Sequence, residues 1–162
     1  MEIPRPDEIP GMFTAYYQPI VDISAGNVVG FEALTRRIAP DGSAQSVGEL
    51  IENMEKDLDS LSALVYSTMR SIQQDVSPLF EQYSNFYISV NIPPVILGTG
   101  KIAEILKDLG LGPYVSRIVC ELTERQVLTE TGRAALAQAR EFGIRIAVDD
   151  FGTGHSGLAQ IV

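Results

Sequence analysis

Two early runs of strand-forming residues predict that the chain opens with a β-hairpin. The runs are FTAYYQPIVDI (13–23) and NVVGFEALTRR (27–37), rich in β-branched and aromatic residues. Between them, Ser24-Ala25-Gly26-Asn27 is a cluster of residues that favour tight turns. We therefore expect two adjacent antiparallel strands at the start of the chain.

The pattern of apolar positions then changes to helical spacing. Apolar residues recur every three or four positions from Leu50 to Met69. Ser46 and Glu49 just before them have the spacing of a capping box, in which each side chain caps the other's backbone N–H. One long helix, or two consecutive helices, is expected after Ser46.

Strands and helices alternate over the rest of the chain. We predict strands over FYISVNI (86–92), SRIVCELTE (116–124) and IRIAVDD (144–150), and helices over KIAEILKDLG (101–110) and GRAALAQAREFG (132–143). Gly143 suits the left-handed position that ends many helices. Such alternation indicates a parallel sheet whose functional loops follow the carboxyl ends of the strands.

Length and composition indicate a folded single domain and exclude some functions. The chain has 162 residues, 45% of them hydrophobic, and a formal net charge of −9. That charge argues against DNA or RNA polymers as partners, because binding their backbone requires clustered Lys and Arg. No apolar run is long enough to span a membrane and no signal peptide is evident, which indicates a cytoplasmic location. Cys120, the only cysteine, is expected in the core, without a disulfide within the chain or a cysteine metal cage.

Oxygen-bearing side chains stand at four successive strand ends. They are Glu32, Asn91, Glu121 with Glu124, and Asp149 with Asp150. Each acid by itself would more often cap a helix or face solvent, and the acidic balance of the chain could simply serve solubility. Four such ends on one edge of a sheet instead favour a site for Mg²⁺ or Mn²⁺, which prefer oxygen ligands, over one for zinc. The adjacent Asp149 and Asp150 also fit a site that holds two cations.

Five segments follow one another along the chain: FTAYYQPIVD, FEALTRR, ISVNIPP, CELTE and VDDFGTGHSGL. Together, and in this order, they resemble the EAL family of cyclic di-GMP phosphodiesterases. The resemblance implies an α/β fold, a TIM-like barrel with an antiparallel first strand. About 250 residues are typical of such a barrel, so the chain is expected to contain only its first five or so strands. Residues 1–162 are accordingly expected to be one EAL domain that is incomplete at its C-terminus.

The resemblance also implies a reaction and a set of site residues. The complete domain would hydrolyse cyclic di-GMP to linear pGpG with two Mg²⁺ or Mn²⁺ ions. Glu124 would brace the loop that begins at Asp150, and Gln18, Leu34 and Arg36 would contact the dinucleotide. The metals would be held by Glu32, Asn91, Glu121, Asp149 and Asp150, and the four acids of this set would act in catalysis through the metals.

Two positions depart from the family pattern, and alternative functions stay open. Pro93 stands where the family has Ser, and His155 where it has Tyr, so we assign His155 no catalytic role.

The family's general base and a further Lys would lie beyond Val162, and the isolated chain is therefore expected to be inactive. We expect it to self-associate through the edge of its fifth predicted strand, or to belong with other domains of a longer protein. The alternatives are a degenerate cyclic di-GMP receptor and a protein-interaction module.

Overall fold

A computed structural model describes residues 12–48, 51, 54 and 57–150. The strands are β1 Met12–Asp22, β2 Asn27–Ile38, β3 Ala44–Ser46, β4 Tyr87–Asn91, β5 Ile118–Thr123 and β6 Arg145–Asp149. The helices are α1 Leu58–Asp75, α2 Ser77–Gln82, α3 Pro94–Gly98, α4 Lys101–Asp108, α5 Glu124–Val127 and α6 Glu130–Phe142, with a 3₁₀ helix over Gly112–Arg117.

The predicted hairpin is confirmed. Strands β1 and β2 pair antiparallel along their whole length, with Gln18 opposite Glu32. The Asp22 carboxylate shapes the turn by accepting hydrogen bonds from the backbone N–H groups of Ser24 and Ala25, at 2.8 and 3.0 Å. Gly26 takes a left-handed conformation there, with φ of 68°. The sequence did not predict β3, a three-residue strand that pairs antiparallel with β2.

The rest of the sheet is parallel, as the alternation of strands and helices predicts. The strand order is β1-β2-β4-β5-β6, with β2, β4, β5 and β6 mutually parallel. Each predicted strand lies within two residues of an observed one. The largest difference is at β5, where Ser116 and Arg117 belong to the preceding 3₁₀ helix. Parallel pairing places the carboxyl ends of four strands along one edge.

The helical region after β3 begins differently from the prediction. Ser46 is the last residue of β3 rather than a helix cap, and Glu49 lies outside the described residues. Ser46 instead pairs with Arg36 of β2, so its backbone is held in a ladder. Asp57 caps α1, because its side chain accepts a hydrogen bond from the Ser60 N–H at 3.2 Å. Of the predicted helical stretch, the structure describes α1, which begins at Leu58.

The core lies between the sheet and the helices α1, α3 and α4. Its completely buried side chains include Leu61, Met69, Ile88, Ile96 and Ile102. Cys120 lies in this core as predicted, and burial raises the pKa of its thiol to about 12. Among the described residues, no helix is long and apolar enough to cross a membrane.

Candidate metal and nucleotide site

Pairing along the sheet brings the predicted ligands to one edge. Glu32 on β2 lies opposite Ser89 on β4, two residues before Asn91. Asn91 lies opposite Glu121 on β5, and Thr123, two residues further along β5, lies opposite Asp149 on β6. Because neighbouring strands are about 4.8 Å apart, side chains at these positions can reach a common centre.

Asn91 and Glu32 are in direct contact. The Asn91 Nδ2 group donates a hydrogen bond to Glu32 Oε1 at 3.4 Å. This bond uses the amide nitrogen of Asn91, so the Oδ1 oxygen stays available for another partner. It also uses only one oxygen of the Glu32 carboxylate, which keeps unused lone pairs. Both side chains therefore retain oxygen atoms that can bind a cation.

Glu121 carries the electrostatic signature of a carboxylate cluster. Its pKa is raised, chiefly because the side chain is half-buried and loses hydration. The negative charges of Glu32 and Asp149 raise the pKa further, while the neighbouring Ser89 hydroxyl opposes the rise. The Glu121 carboxylate is thus repelled by one carboxylate on β2 and by another on β6, and a divalent cation bound near Glu121 would relieve that repulsion.

Glu124 directly follows β5 and Asp150 directly follows β6, so both stand just after strand ends that carry candidate ligands. Asp150 has a left-handed backbone with φ of 57°, a conformation that Asp tolerates better than most residues, and it turns the chain at the end of β6. Glu124 is buried and is the first residue of α5. The loop that Glu124 is predicted to brace, including the glycines of DFGTG and His155, lies outside the described residues.

A cleft of about 660 Å³ opens directly beside the strand ends. Its lining includes Asn91 on β4, Glu121 on β5, and Leu34 and Arg36 on β2. The Arg36 guanidinium donates one hydrogen bond to the Thr35 carbonyl at 3.0 Å, which leaves most of its donors for a ligand. Gln18 is exposed on β1, across the strand pair from Glu32. The cleft therefore joins the acidic strand ends to a basic side chain.

The sequence analysis did not predict the polar wall of the cleft on the β5 side. Four residues form it: Thr123, Gln126, Thr129 and Thr131. Thr123 and Gln126 make a complete capping box at the start of α5, and their T-x-x-Q spacing could have revealed it. On the β4 side, Pro93 and Pro94 line the cleft where Pro93 departs from the family's Ser.

The donor set fits Mg²⁺ or Mn²⁺ by its chemistry. Every candidate ligand presents oxygen, and the mutual repulsion around Glu121 shows excess negative charge at that point. Within the described ranges, no three Asp, Glu, His or Cys side chains already surround a point where a metal ion would bind. Binding a cation would therefore require the side chains to rotate inward from their strand ends.

The chain belongs to the EAL domain family, whose family model matches residues 9–162. Among curated relatives, it is 34% identical over 149 residues to "Probable cyclic di-GMP phosphodiesterase PdeB" of Escherichia coli. That match covers 90% of this chain and 29% of the relative. The chain thus spans less than a third of that relative's length.

Solved structures of EAL proteins have the same fold. Klebsiella pneumoniae BlrP1, solved in a manganese and cyclic di-GMP complex, aligns with a TM-score of 0.70 at 28% identity, over 96% of this chain and 39% of that one. Bacillus subtilis YkuI, solved with cyclic di-GMP and calcium, aligns with a TM-score of 0.68 at 27% identity, over 92% of this chain and 38% of that one. The predicted fold class, a TIM-like barrel with an antiparallel first strand represented by its first strands, is confirmed.

Proposed function

We propose that the complete domain hydrolyses cyclic di-GMP to pGpG with Mg²⁺ or Mn²⁺, and that the strand-end residues of this chain hold the metals. One observation carries this proposal: Glu121 is flanked by the charges of Glu32 and Asp149 at the mouth of a cleft that Arg36 also lines. The EAL relatives named above, with their cyclic di-GMP and metal complexes, support the choice of ligand.

Each strand end contributes a separate part of the metal site. Glu32 and Asn91 are already linked by a hydrogen bond and would bind from the β2 and β4 side. Glu121 would bind from β5, and Asp149 with Asp150 from β6, where two adjacent carboxylates can serve two ions. When bound, the cations polarise the phosphodiester and lower the pKa of water. The chain's own contribution is to hold oxygen ligands on rigid strands.

Two of the proposed substrate residues, Leu34 and Arg36, line the same cleft, whereas Gln18 lies outside its lining. Arg36 would bind a phosphate of the dinucleotide, because a guanidinium offers several N–H donors in a planar array. Leu34 would provide apolar contact beside it, and Gln18 would contact the dinucleotide from the exposed side of β1. Glu124 would brace the loop after β6 from its buried position at the start of α5.

The reaction is tested on the complete domain with Mn²⁺, by chromatographic separation of cyclic di-GMP from pGpG. We expect Glu32→Ala and Asp149→Ala each to reduce turnover by about 100-fold or more, because each loses a metal ligand. Glu104→Ala is the matched control, since Glu104 is an exposed acid on α4 outside the cleft. Undiminished turnover in both ligand variants would refute the assignment.

For the 162-residue chain by itself, we propose binding without measurable turnover. The described sheet runs from β1 to β6 with these two strands at its ends. A site on such an open sheet must be ordered when the ligand binds, which weakens affinity and impairs positioning of the attacking water. The test is incubation of the purified chain with cyclic di-GMP and Mn²⁺, and steady pGpG production would contradict this part of the proposal.

A further inference from the structure

A single glutamine connects the end of β5 to the following helices. Gln126 Oε1 accepts a hydrogen bond from the Thr123 backbone N–H at 2.9 Å. In return, the Gln126 backbone N–H donates to Thr123 Oγ1 at 3.4 Å. The two residues thereby fix the last residue of β5 to the first turn of α5.

The backbone carbonyl of Gln126 also anchors the start of α6. It accepts hydrogen bonds from the Thr129 hydroxyl at 2.7 Å and from the Thr129 N–H at 3.1 Å. The Thr129 hydroxyl in turn caps α6 by accepting from the Gly132 N–H at 2.9 Å. Gly132 packs so closely that a Cβ there would lie 1.9 Å from the Gln126 carbonyl oxygen. Helix α6 therefore rests directly on Gln126.

Helix α6 extends this connection to the end of β4. A Cβ on Gly98, the last residue of α3, would lie 3.3 Å from the Ala135 nitrogen of α6. Helix α3 begins only three residues after Asn91. The short helices that follow Asn91 and Glu121 thus both contact α6, and Gln126 hydrogen-bonds both to Thr123 at the end of β5 and to Thr129 at the start of α6.

We infer that Gln126 is a positioning residue for the metal site. This inference rests on the function proposed above. Gln126 fixes the backbone of Thr123, which lies two residues after Glu121 and opposite Asp149 in the ladder between β5 and β6. A metal site requires its ligand atoms to lie within about 0.5 Å of their proper positions. Loss of the Gln126 bond should therefore affect metal affinity more than it affects the stability of the fold.

The isosteric change Gln126→Met removes the side-chain acceptor while keeping the volume of the side chain. We expect hydrogen exchange at the Thr123 amide to become about five- to tenfold faster. This factor corresponds to the free energy that is typically lost when a helix cap is removed. We also expect Mn²⁺ binding, followed by electron paramagnetic resonance, to weaken about tenfold, as is typical when a group that supports a ligand is lost.

Rescue distinguishes positioning from a general loss of packing. Gln126→Glu keeps an acceptor for the Thr123 N–H, and it should restore both slow amide exchange and Mn²⁺ affinity. Because Glu also adds a negative charge, the control is the double variant Gln126→Met with Thr131→Glu. Thr131 is exposed and lines the same cleft, so this variant adds the charge without the cap. Its Mn²⁺ affinity should stay below that of Gln126→Glu.

Three results would overturn the inference, and they separate it from the proposed function. Gln126→Met with wild-type Mn²⁺ affinity would overturn positioning while leaving the metal site in place. If Gln126→Glu and the double variant had equal Mn²⁺ affinity, the added charge alone would explain the recovered affinity, and this result would also overturn the positioning role. A wild-type chain that binds no Mn²⁺ would refute the proposed metal site, and the positioning role with it.

Discussion

At the scale of single residues, Glu121 shows how the site works against the stability of the metal-free chain. The side chain is half-buried and is repelled by Glu32 and Asp149, which together raise its pKa. An unfavourable placement of a carboxylate of this kind is typical of functional sites, where the same side chain binds a ligand. We expect a cation site to destabilise the metal-free fold in this way, because the repulsion among its carboxylates is relieved only when the cation binds.

Glu121→Gln should stabilise the metal-free chain and weaken its binding of Mn²⁺. The gain should not exceed about 1 kcal/mol, because solvent screens a half-buried charge. The raised pKa of Glu121 means that the folded chain holds this proton more tightly than the unfolded chain. The gain should therefore be present above the raised pKa and vanish as the pH falls through it. Thermal unfolding of both variants at pH 7.5 and pH 4 checks this, and a gain that grows on acidification would contradict it.

A methyl group added at Gly132 would lie 1.9 Å from the backbone carbonyl oxygen of Gln126. Gly132→Ala should destabilise the chain by about 1–3 kcal/mol, because its Cβ would collide with the Gln126 carbonyl and separate α5 from α6. Gly112→Ala is the control, since a Cβ at Gly112 has no neighbour within 4 Å. Urea denaturation measures both, and equal stability of the two variants would show that α6 does not rest on Gln126 in solution.

At the scale of secondary structure, the sequence predicted the elements that show a clear period or a clear stop signal. The hairpin, α6 and the strands β4 and β6 were predicted to within two residues, and Gly143 ends α6 in the left-handed conformation as expected. The short elements β3, α3 and α5 were not predicted, because three to five residues are too few to show a period. They depend on tertiary contacts, such as the pairing of β3 with β2.

The candidate site could be predicted for a similar reason. Parallel strands place their carboxyl ends at one edge, so the candidate ligands could be located at the ends of β2, β4, β5 and β6 from the sequence alone. The wall formed by Thr123, Gln126, Thr129 and Thr131 could not be identified in this way. Its position depends on how α6 packs against α3 and α5, and only the capping-box spacing of Thr123 and Gln126 was visible in the sequence.

Helix α1 offers a test of element stability that is independent of the site. Asp57 accepts hydrogen bonds from the Ser60 N–H and hydroxyl, and these bonds lower its pKa. Asp57→Ala should lower Tm at neutral pH, whereas Asp59→Ala, which removes a neighbouring acid without a cap, should lower it less. Because the pKa is lowered in the folded chain, the cap's contribution is lost as the pH falls through that value. An Asp57→Ala deficit that persists at pH 2 would contradict the capping role.

At the scale of the whole molecule, the β6 end of the described sheet is the surface that we expect to mediate self-association. Among the described strands, β6 pairs with β5 alone and leaves its other edge open, with Val148 44% exposed. Such an edge can pair with a second copy of the chain. Val148→Lys should therefore reduce self-association of the isolated chain in light scattering at increasing concentration. Phe142→Lys, a similarly exposed apolar residue on α6, is the control and should change it less.

Metal binding by the strand ends is the central claim, and Mn²⁺ titration followed by electron paramagnetic resonance tests it most directly. The wild-type chain should bind Mn²⁺, and Asn91→Ala and Glu32→Ala should each weaken that binding by about tenfold or more, because each loses an oxygen ligand. Glu104→Ala should bind as the wild type does. Equal Mn²⁺ affinity in the wild type and both ligand variants would contradict the account.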